Sequence, residues 1–364
     1  MTVALVHDYL TQRGGAERVV LAMARAFPGA PIYTSLFEPA GTFPEFRDLD
    51  VRPLALNAVG PLRRRHRAAL PLLAPSFSRL RVQADAVLCS SSGWAHGAVV
   101  SGRKIVYCHT PARWLYQTDR YLGAGLDARR LALAPLRPAL LRWDARAAAS
   151  ADRYLANSTA VAERVRETYG REAEVLPAPP SLGPAGLREP VAGIEPGFLL
   201  CVSRLLPYKN VGAVIEAAAA TGERLVVVGA GPLEASLRAA APAHVAVLGA
   251  VSDEQLRWLY AASAGVVAAG YEDYGLVPLE AAAFGKPAAA LRFGGFLDTV
   301  DEGRTGIFFD RAEPASIADA VRALIAASWD ASALERHADR FSEQRFAARL
   351  QAIVAGEAAM ETAA

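Results

Sequence analysis

Ten short runs, four to six residues each and apolar on both faces, punctuate this chain with room for helices between them. That alternation is what most limits its fold. Five lie before a Pro- and Gly-rich stretch, at 3–6, 31–35, 86–90, 104–108 and 153–157, and five after it, at 198–203, 224–229, 245–249, 264–269 and 287–291. Strands without a polar face belong in parallel sheets covered by helices on both sides. Helical spacing at Gly15–Phe27, a Ser252 cap before DEQLRWLYAA, and Pro314 opening an Ala-rich run supply such helices. A chain of 364 residues is also about the length at which one core gives way to two. The expectation is α/β: two doubly wound parallel-sheet domains, residues 1–180 and 198–340, joined by a linker at 181–197. Residues 341–364 are expected to form a C-terminal helix crossing back to the first domain, followed by a frayed tail. Ligands of such sheets bind at the carboxyl ends of the strands, so the site is expected in the cleft between the domains.

Composition removes several classes. With 52% hydrophobic residues and a net charge of +2, the chain is not disordered. Cys89, Cys108 and Cys201 sit in separate apolar runs without zinc-ligand spacing and read as reduced core residues. The N-terminus has no signal-peptide pattern, and Pro and Arg break the apolar run at 131–143 before it could span a bilayer. A cytoplasmic protein is expected. Charge is uneven, about +9 over residues 1–187 and −7 over 188–364. The basic half implies an anionic partner, but no aromatic stacking set or recognition helix points to nucleic acid.

Four stretches carry candidate chemistry. In AGYEDYGLVPLEAAAFGKP (269–287) a strand ends in a turn bearing Glu272, Asp273, Tyr274 and Gly275, and a helix starts near Leu276 with Glu280 one turn in. Amides at that helix start form an anion site suited to a diphosphate. In CVSRLLPYKN (201–210) Arg204 and Lys209 follow a buried strand. The chain holds 36 Arg and only three Lys, which singles out Lys209 as a compact ammonium. In HDYLTQRGGAERVV (7–20) Gly14 and Gly15 would let a phosphate approach a helix N-terminus. In YCHTPARW (107–114) His109 stands at a strand end. No G-x-G-x-x-G, Walker loop, nucleophile elbow or H-E-x-x-H is present, which disfavours dehydrogenase, kinase, hydrolase and zinc chemistry.

Together with GGFLDTVDEGRTGIFF near the end, these stretches resemble family 4 glycosyltransferases of the GT-B fold, two Rossmann-like domains facing across a cleft. The likeness is greatest to mannosyltransferases of bacterial surface polysaccharide synthesis. The resemblance implies a metal-independent, retaining enzyme with no cofactor, whose donor is a nucleotide sugar, GDP-mannose, and whose acceptor is a lipid-linked saccharide or glycan. It places Glu272 near the donor sugar, Glu280 on the nucleotide ribose and Arg204 and Lys209 on the diphosphate. Amides around Asp273, Tyr274, Gly275 and Leu276 and the loop at Gly14 and Gly15 would assist, and His109 would lie beside the hexose. Asp298 replaces the usual Glu, which shortens its reach by one methylene. A nucleotide-sugar 2-epimerase and a non-catalytic nucleotide-sugar-binding subunit are the alternatives.

Residues 57–82 mix Arg63, Arg64, Arg65, Arg67, Arg79 and Arg81 with Leu62, Leu70, Leu72, Leu73 and Phe77. This mixture is expected to dock peripherally on an anionic membrane surface, on the inner leaflet where a lipid-linked acceptor is presented.

Overall fold

A computed structural model of the chain describes residues 1–64, 69–117 and 135–356. It divides into two compact units, one formed by Met1–Ala178 with the C-terminal helix Glu343–Ala355, the other by Pro179–Ser342.

The first unit contains β1 (Val3–His7), β2 (Ile32–Thr34), β3 (Val51–Pro53), β4 (Arg81–Val82), β5 (Ala86–Ser91), β6 (Val99–Val100), β7 (Arg103–Cys108), β8 (Arg153–Ala156) and β9 (Ala173–Val175). Seven of these form one parallel sheet ordered β3-β2-β1-β5-β7-β8-β9, while β4 pairs with β6 alone. β5 is buried along its whole length, as expected of a central strand with helices on both faces. The C-terminal helix packs within this unit: its Arg349 donates to Glu174 of β9 at 2.7 Å, and Arg25 on helix Gly15–Ala26 pairs with Glu343.

The second unit contains β10 (Leu199–Val202), β11 (Leu225–Val228), β12 (Val245–Gly249), β13 (Gly265–Ala268), β14 (Ala288–Leu291) and β15 (Gly306–Phe309), all parallel in the order β12-β11-β10-β13-β14-β15. Ser252 caps helix Asp253–Ala262 with the reciprocal Ser252–Gln255 box, and Pro314 begins helix Pro314–Ala326. All ten apolar runs are strands. In each sheet the strand order reverses once, at β1/β5 in the first unit and β10/β13 in the second, and those are the positions where open α/β sheets take ligands.

Two expectations change. Residues 181–197 are not a loose tether: Leu182 is buried in the second unit's core, Val191 and Ile194 pack on it, and the Glu189 amide donates to Glu254 O at 3.1 Å. The apolar half of the arginine-rich segment is core rather than membrane-facing. Leu73 and Phe77, on helix Leu70–Arg79, are fully buried, Leu62 and Leu70 pack against the same core, and of the five named apolar residues Leu72 alone is exposed. Arg63 is engaged with Glu38 at 2.8 Å, Arg64, Arg79 and Arg81 are exposed, and Arg65 and Arg67 lie outside the described residues. The amphipathic docking surface therefore loses its apolar face. Among the described residues no helix is long and apolar enough to cross a membrane.

Candidate functional site

In the second unit, the loops leaving β10 and β13 are built against each other. Lys209 ends a single 3-10 turn, Pro207–Lys209, and its buried ammonium is ion-paired with Glu272 in the turn after β13. Asn210 follows with φ 54°, the one positive-φ residue other than glycine among those described. Its Nδ2 donates to Ala269 O at 2.8 Å, and the Tyr271 amide donates to Tyr208 O at 3.2 Å. These bonds hold Lys209 opposite Glu272. Arg204 is exposed on the same loop, with Nη2 donating to the Tyr208 hydroxyl at 3.1 Å. Gly270 lies between the pair: a Cβ there would meet Lys209 Cδ at 3.0 Å and Glu272 Oε1 at 3.3 Å.

The turn from Glu272 to Gly275 feeds helix Leu276–Ala283, capped by Gly275 at φ 119° and carrying no acidic residue in its first turn. Phe296 and Thr299 pack so closely that a Cβ on Gly275 would fall 2.6 and 2.8 Å from their side chains. From below, Gly294 and Gly295 bring backbone against backbone, since a Cβ on either would sit about 2 Å from the Glu272 carbonyl or Tyr274 Cα. Asp273 and Tyr274 are buried, and Asp298 is half-buried on the short helix Phe296–Thr299. Glu280 is buried one helical turn in. Its Oε2 accepts from the Tyr260 hydroxyl at 2.6 Å and its Oε1 from the Ser181 amide at 3.2 Å. Burial first, and then the Glu280 carboxylate, hold the Tyr260 phenol well above its ordinary pKa, so it remains a donor.

At the first unit's switch point, His109 follows β7 with its amide donating to Ser91 O at 2.9 Å and its Nε2 2.7 Å from Ser90 Oγ. His7, at the end of β1, meets Ser90 from the other side. Asp8 is buried and accepts from the amides of Ser92, Trp94 and Ala95 at 2.7 to 3.2 Å, so the loop after β5 already holds a carboxylate. Gly14 caps helix Gly15–Ala26, but the buried Glu17 side chain folds back to within 2.6 Å of where a Gly14 Cβ would stand. The Glu17 carboxylate thus stands at this helix end, beside the Gly14 and Gly15 backbone, where Gln12 Nε2 donates to its Oε1 at 3.1 Å.

The structure thus gathers Arg204, Lys209, Glu272, Asp273, Tyr274, Gly275, Leu276 and Glu280 at one switch point and sets His109 at the other. Sequence reasoning did not assign roles to Asn210, Tyr260, Ser181, Gly294 and Gly295, nor to His7, Asp8 and Ser90. The signals were a polar pair closing an otherwise apolar strand, His7-Asp8 after VALV and Ser90-Ser91 after AVLC. The three cysteines are free and buried, and burial pushes the thiols of Cys89 and Cys201 up to about 12.

Residues 13–179 match the family model described as Glycosyltransferase Family 4, and residues 189–344 match that described as Glycosyl transferases group 1. The D-rhamnosyltransferase WbpZ of Pseudomonas aeruginosa is 31% identical over 189 residues, 50% of this chain and 49% of that protein. A D-inositol 3-phosphate glycosyltransferase of Geodermatophilus obscurus is 32% identical over 229 residues, 54% of this chain and 51% of its own length. The chain spans about half the length of these curated relatives. Anabaena Alr3699/HepE, solved in complex with UDP-glucose, superposes with a TM-score of 0.70 at 18% identity, covering 98% of this chain and 100% of that one. Sucrose-phosphate synthase from Thermosynechococcus elongatus gives 0.69 at 18% identity, covering 97% and 98%. At such identities the likeness shows the fold. By its paired parallel sheets and its two family matches, the chain belongs to the glycosyltransferases of the GT-B fold and family 4 type.

Proposed function

We propose that this protein is a retaining hexosyltransferase that moves mannose from GDP-mannose to a lipid-linked or polysaccharide acceptor. The observation carrying this reading is the Lys209–Glu272 pair beside Arg204 and the helix start at Gly275, all at the β10/β13 switch point. A nucleoside diphosphate gains charge as it leaves, and two fixed cations with an oriented helix end stabilise that charge without a metal. Lys209 has three protons and can hold Glu272 while donating to a phosphate oxygen. Glu280 takes the ribose hydroxyls with its remaining lone pairs while Tyr260 and Ser181 fix its orientation. This reading assigns His109 to the transferred hexose. The acceptor oxygen bonds to the anomeric carbon, the bond from that carbon to the diphosphate breaks, and the acceptor's proton passes to the leaving phosphate on the same face. The choice of a nucleotide sugar is supported by HepE, whose structure holds UDP-glucose, and by the transferase names of the relatives.

The test is nucleotide release and product analysis with purified protein. GDP release from GDP-mannose that rises with a glycan acceptor, persists with EDTA, and yields a product with the donor's anomeric configuration by proton NMR is expected. An inverted product contradicts the mechanism. Release without a new glycoside points to epimerisation or hydrolysis, and turnover with UDP-sugars alone overturns the mannosyl assignment.

A further inference from the structure

Lys104, one of the three lysines in the chain, lies near the start of β7 and is only 5% exposed. Its Nζ donates to His96 O at 3.1 Å and to Ser150 Oγ at 2.8 Å. Both directions are fixed, because an ammonium has no lone pair with which to accept. The third N–H has no acceptor among the described residues, and the ammonium makes no ion pair there. Asp152 does not fill that role, since its Oδ2 takes the Lys104 backbone amide at 2.7 Å. Buried cations are ordinarily paired. Here burial holds the Lys104 pKa below the ordinary lysine range, as it does for a charge that lacks a counter-ion.

Lys104, its acceptor Ser150, and Gly97 next to His96 line a cavity of about 460 Å³ together with Trp143, Arg146 and Asp152. Gly102, also in the lining, and Asp152 immediately precede β7 and β8, so the cavity lies at the amino ends of these strands. Asp8, Ser91 and His109 stand at the opposite, carboxyl edge of the same parallel sheet.

The donors left over define what the cavity can hold. Ser150 Oγ donates to Ala147 O at 2.7 Å and Ser78 Oγ to Ala74 O at 2.9 Å, so neither hydroxyl has a proton to offer. Trp143 Nε1 is committed to Ser78 Oγ at 2.7 Å. What remains is the third Lys104 N–H and the exposed Arg146, which spends only its Nε, on Arg142 O at 3.2 Å. Lys104 and Arg146 against Asp152 leave the lining one positive charge in excess, which matches a monoanion. The half-buried Trp143, with Val100 and Ala147, adds an apolar wall, and the volume suits a small organic molecule rather than a bare ion.

We propose that this cavity is a ligand site separate from both switch points, for a small organic carboxylate whose charged end takes the third Lys104 N–H and Arg146 and whose apolar body lies on Trp143. The proposal does not depend on the identity of the sugar donor.

The test is ligand-observed NMR and calorimetry on the full chain, with benzoate as the probe, benzamide as its neutral counterpart and acetate as the anion without an apolar body. Benzoate is expected to bind at least about tenfold more tightly than benzamide or acetate, the worth of one charge-assisted hydrogen bond or of the apolar wall. Lys104→Met, which keeps an apolar stem, should abolish the preference for benzoate over benzamide. Arg146→Gln, at an exposed position, should weaken benzoate several-fold, and Lys209→Ala should leave it unchanged. No benzoate binding at millimolar concentration, or equal affinity for benzoate and benzamide, overturns the proposal with wild-type protein alone and needs no variant to fold. Benzoate affinity retained in both Lys104→Met and Arg146→Gln, or lost in Lys209→Ala, overturns it as well, the last by placing the anion at the β10/β13 switch point.

Discussion

In both sheets the strand order reverses at a central strand pair, and both place a helix start after a glycine near that pair, yet the two places are chemically opposite. At β10/β13 the side chains offered are Lys209 and Arg204, and helix Leu276–Ala283 starts without an acid. At β1/β5 the amides after β5 are taken by Asp8, and Glu17 covers the start of helix Gly15–Ala26. Topology makes two possible anion sites, and in the proposed function side-chain charge selects the one at β10/β13. The first unit keeps instead a buried hydrogen-bonding trio, His7, Ser90 and His109.

The largest effect is expected at the cation. Lys209→Ala should lower kcat by about 10²- to 10³-fold, comparable to removing one charge-stabilising donor, while leaving the fold intact by circular dichroism. Loss below threefold in a steady-state assay would erase the contrast between the two switch points. Next is the backbone that aims Lys209. Asn210→Ala forfeits the bond to Ala269 O and puts a Cβ residue without side-chain help at φ 54°, and should cost about 2–3 kcal/mol in urea unfolding. Asn210→Gly removes only the bond and should cost about 1 kcal/mol; equal costs for the two would show that φ carries no strain there. Glu17→Gln sharpens the comparison from the other side. It should cost only about 0.3–1 kcal/mol through the helix dipole and leave donor affinity unchanged; a clear gain in affinity would return the diphosphate to Gly14 and Gly15.

A smaller effect follows from His337, whose Nε2–H donates to Thr299 O at 3.0 Å behind the Gly275 turn. Burial holds its pKa below the ordinary value near 6.5. Between the folded and unfolded pKa values the unfolded chain binds more protons, so stability rises with pH through that window and is lost as pH falls below about 6.5. His337→Gln keeps a donor and should flatten that part of a thermal-melt pH series; an unchanged slope would assign the acid sensitivity elsewhere.

Central strands were legible because burial on both faces leaves a continuous apolar run, as in AVLCS and LVVV. The edge strands β3 and β9 were not, since an edge tolerates Pro53, Arg52 and Glu174 and needs only three residues. Gly275 and Leu276 could be placed because a glycine before an apolar helical run marks a boundary. The pairing of Lys209 with Glu272, 63 positions apart, and the bond from Ser181 to Glu280 depend on which loops the sheet order brings together, and spacing within one strand or helix does not encode that. In the basic segment at 57–82 the leucines have helical spacing either way, and only the packing of the folded unit decides that Leu73 and Phe77 face inward.

The most direct measurement is a thermal-shift titration with GDP-mannose, UDP-glucose and the bare nucleotides on wild type, Lys209→Ala and Glu17→Gln. Ligand at a hundredfold excess over its Kd adds about 2.7 kcal/mol of apparent stability. The account predicts a shift with GDP-mannose in wild type and Glu17→Gln that disappears in Lys209→Ala. A shift that survives in Lys209→Ala, or that Glu17→Gln alone alters, would contradict it.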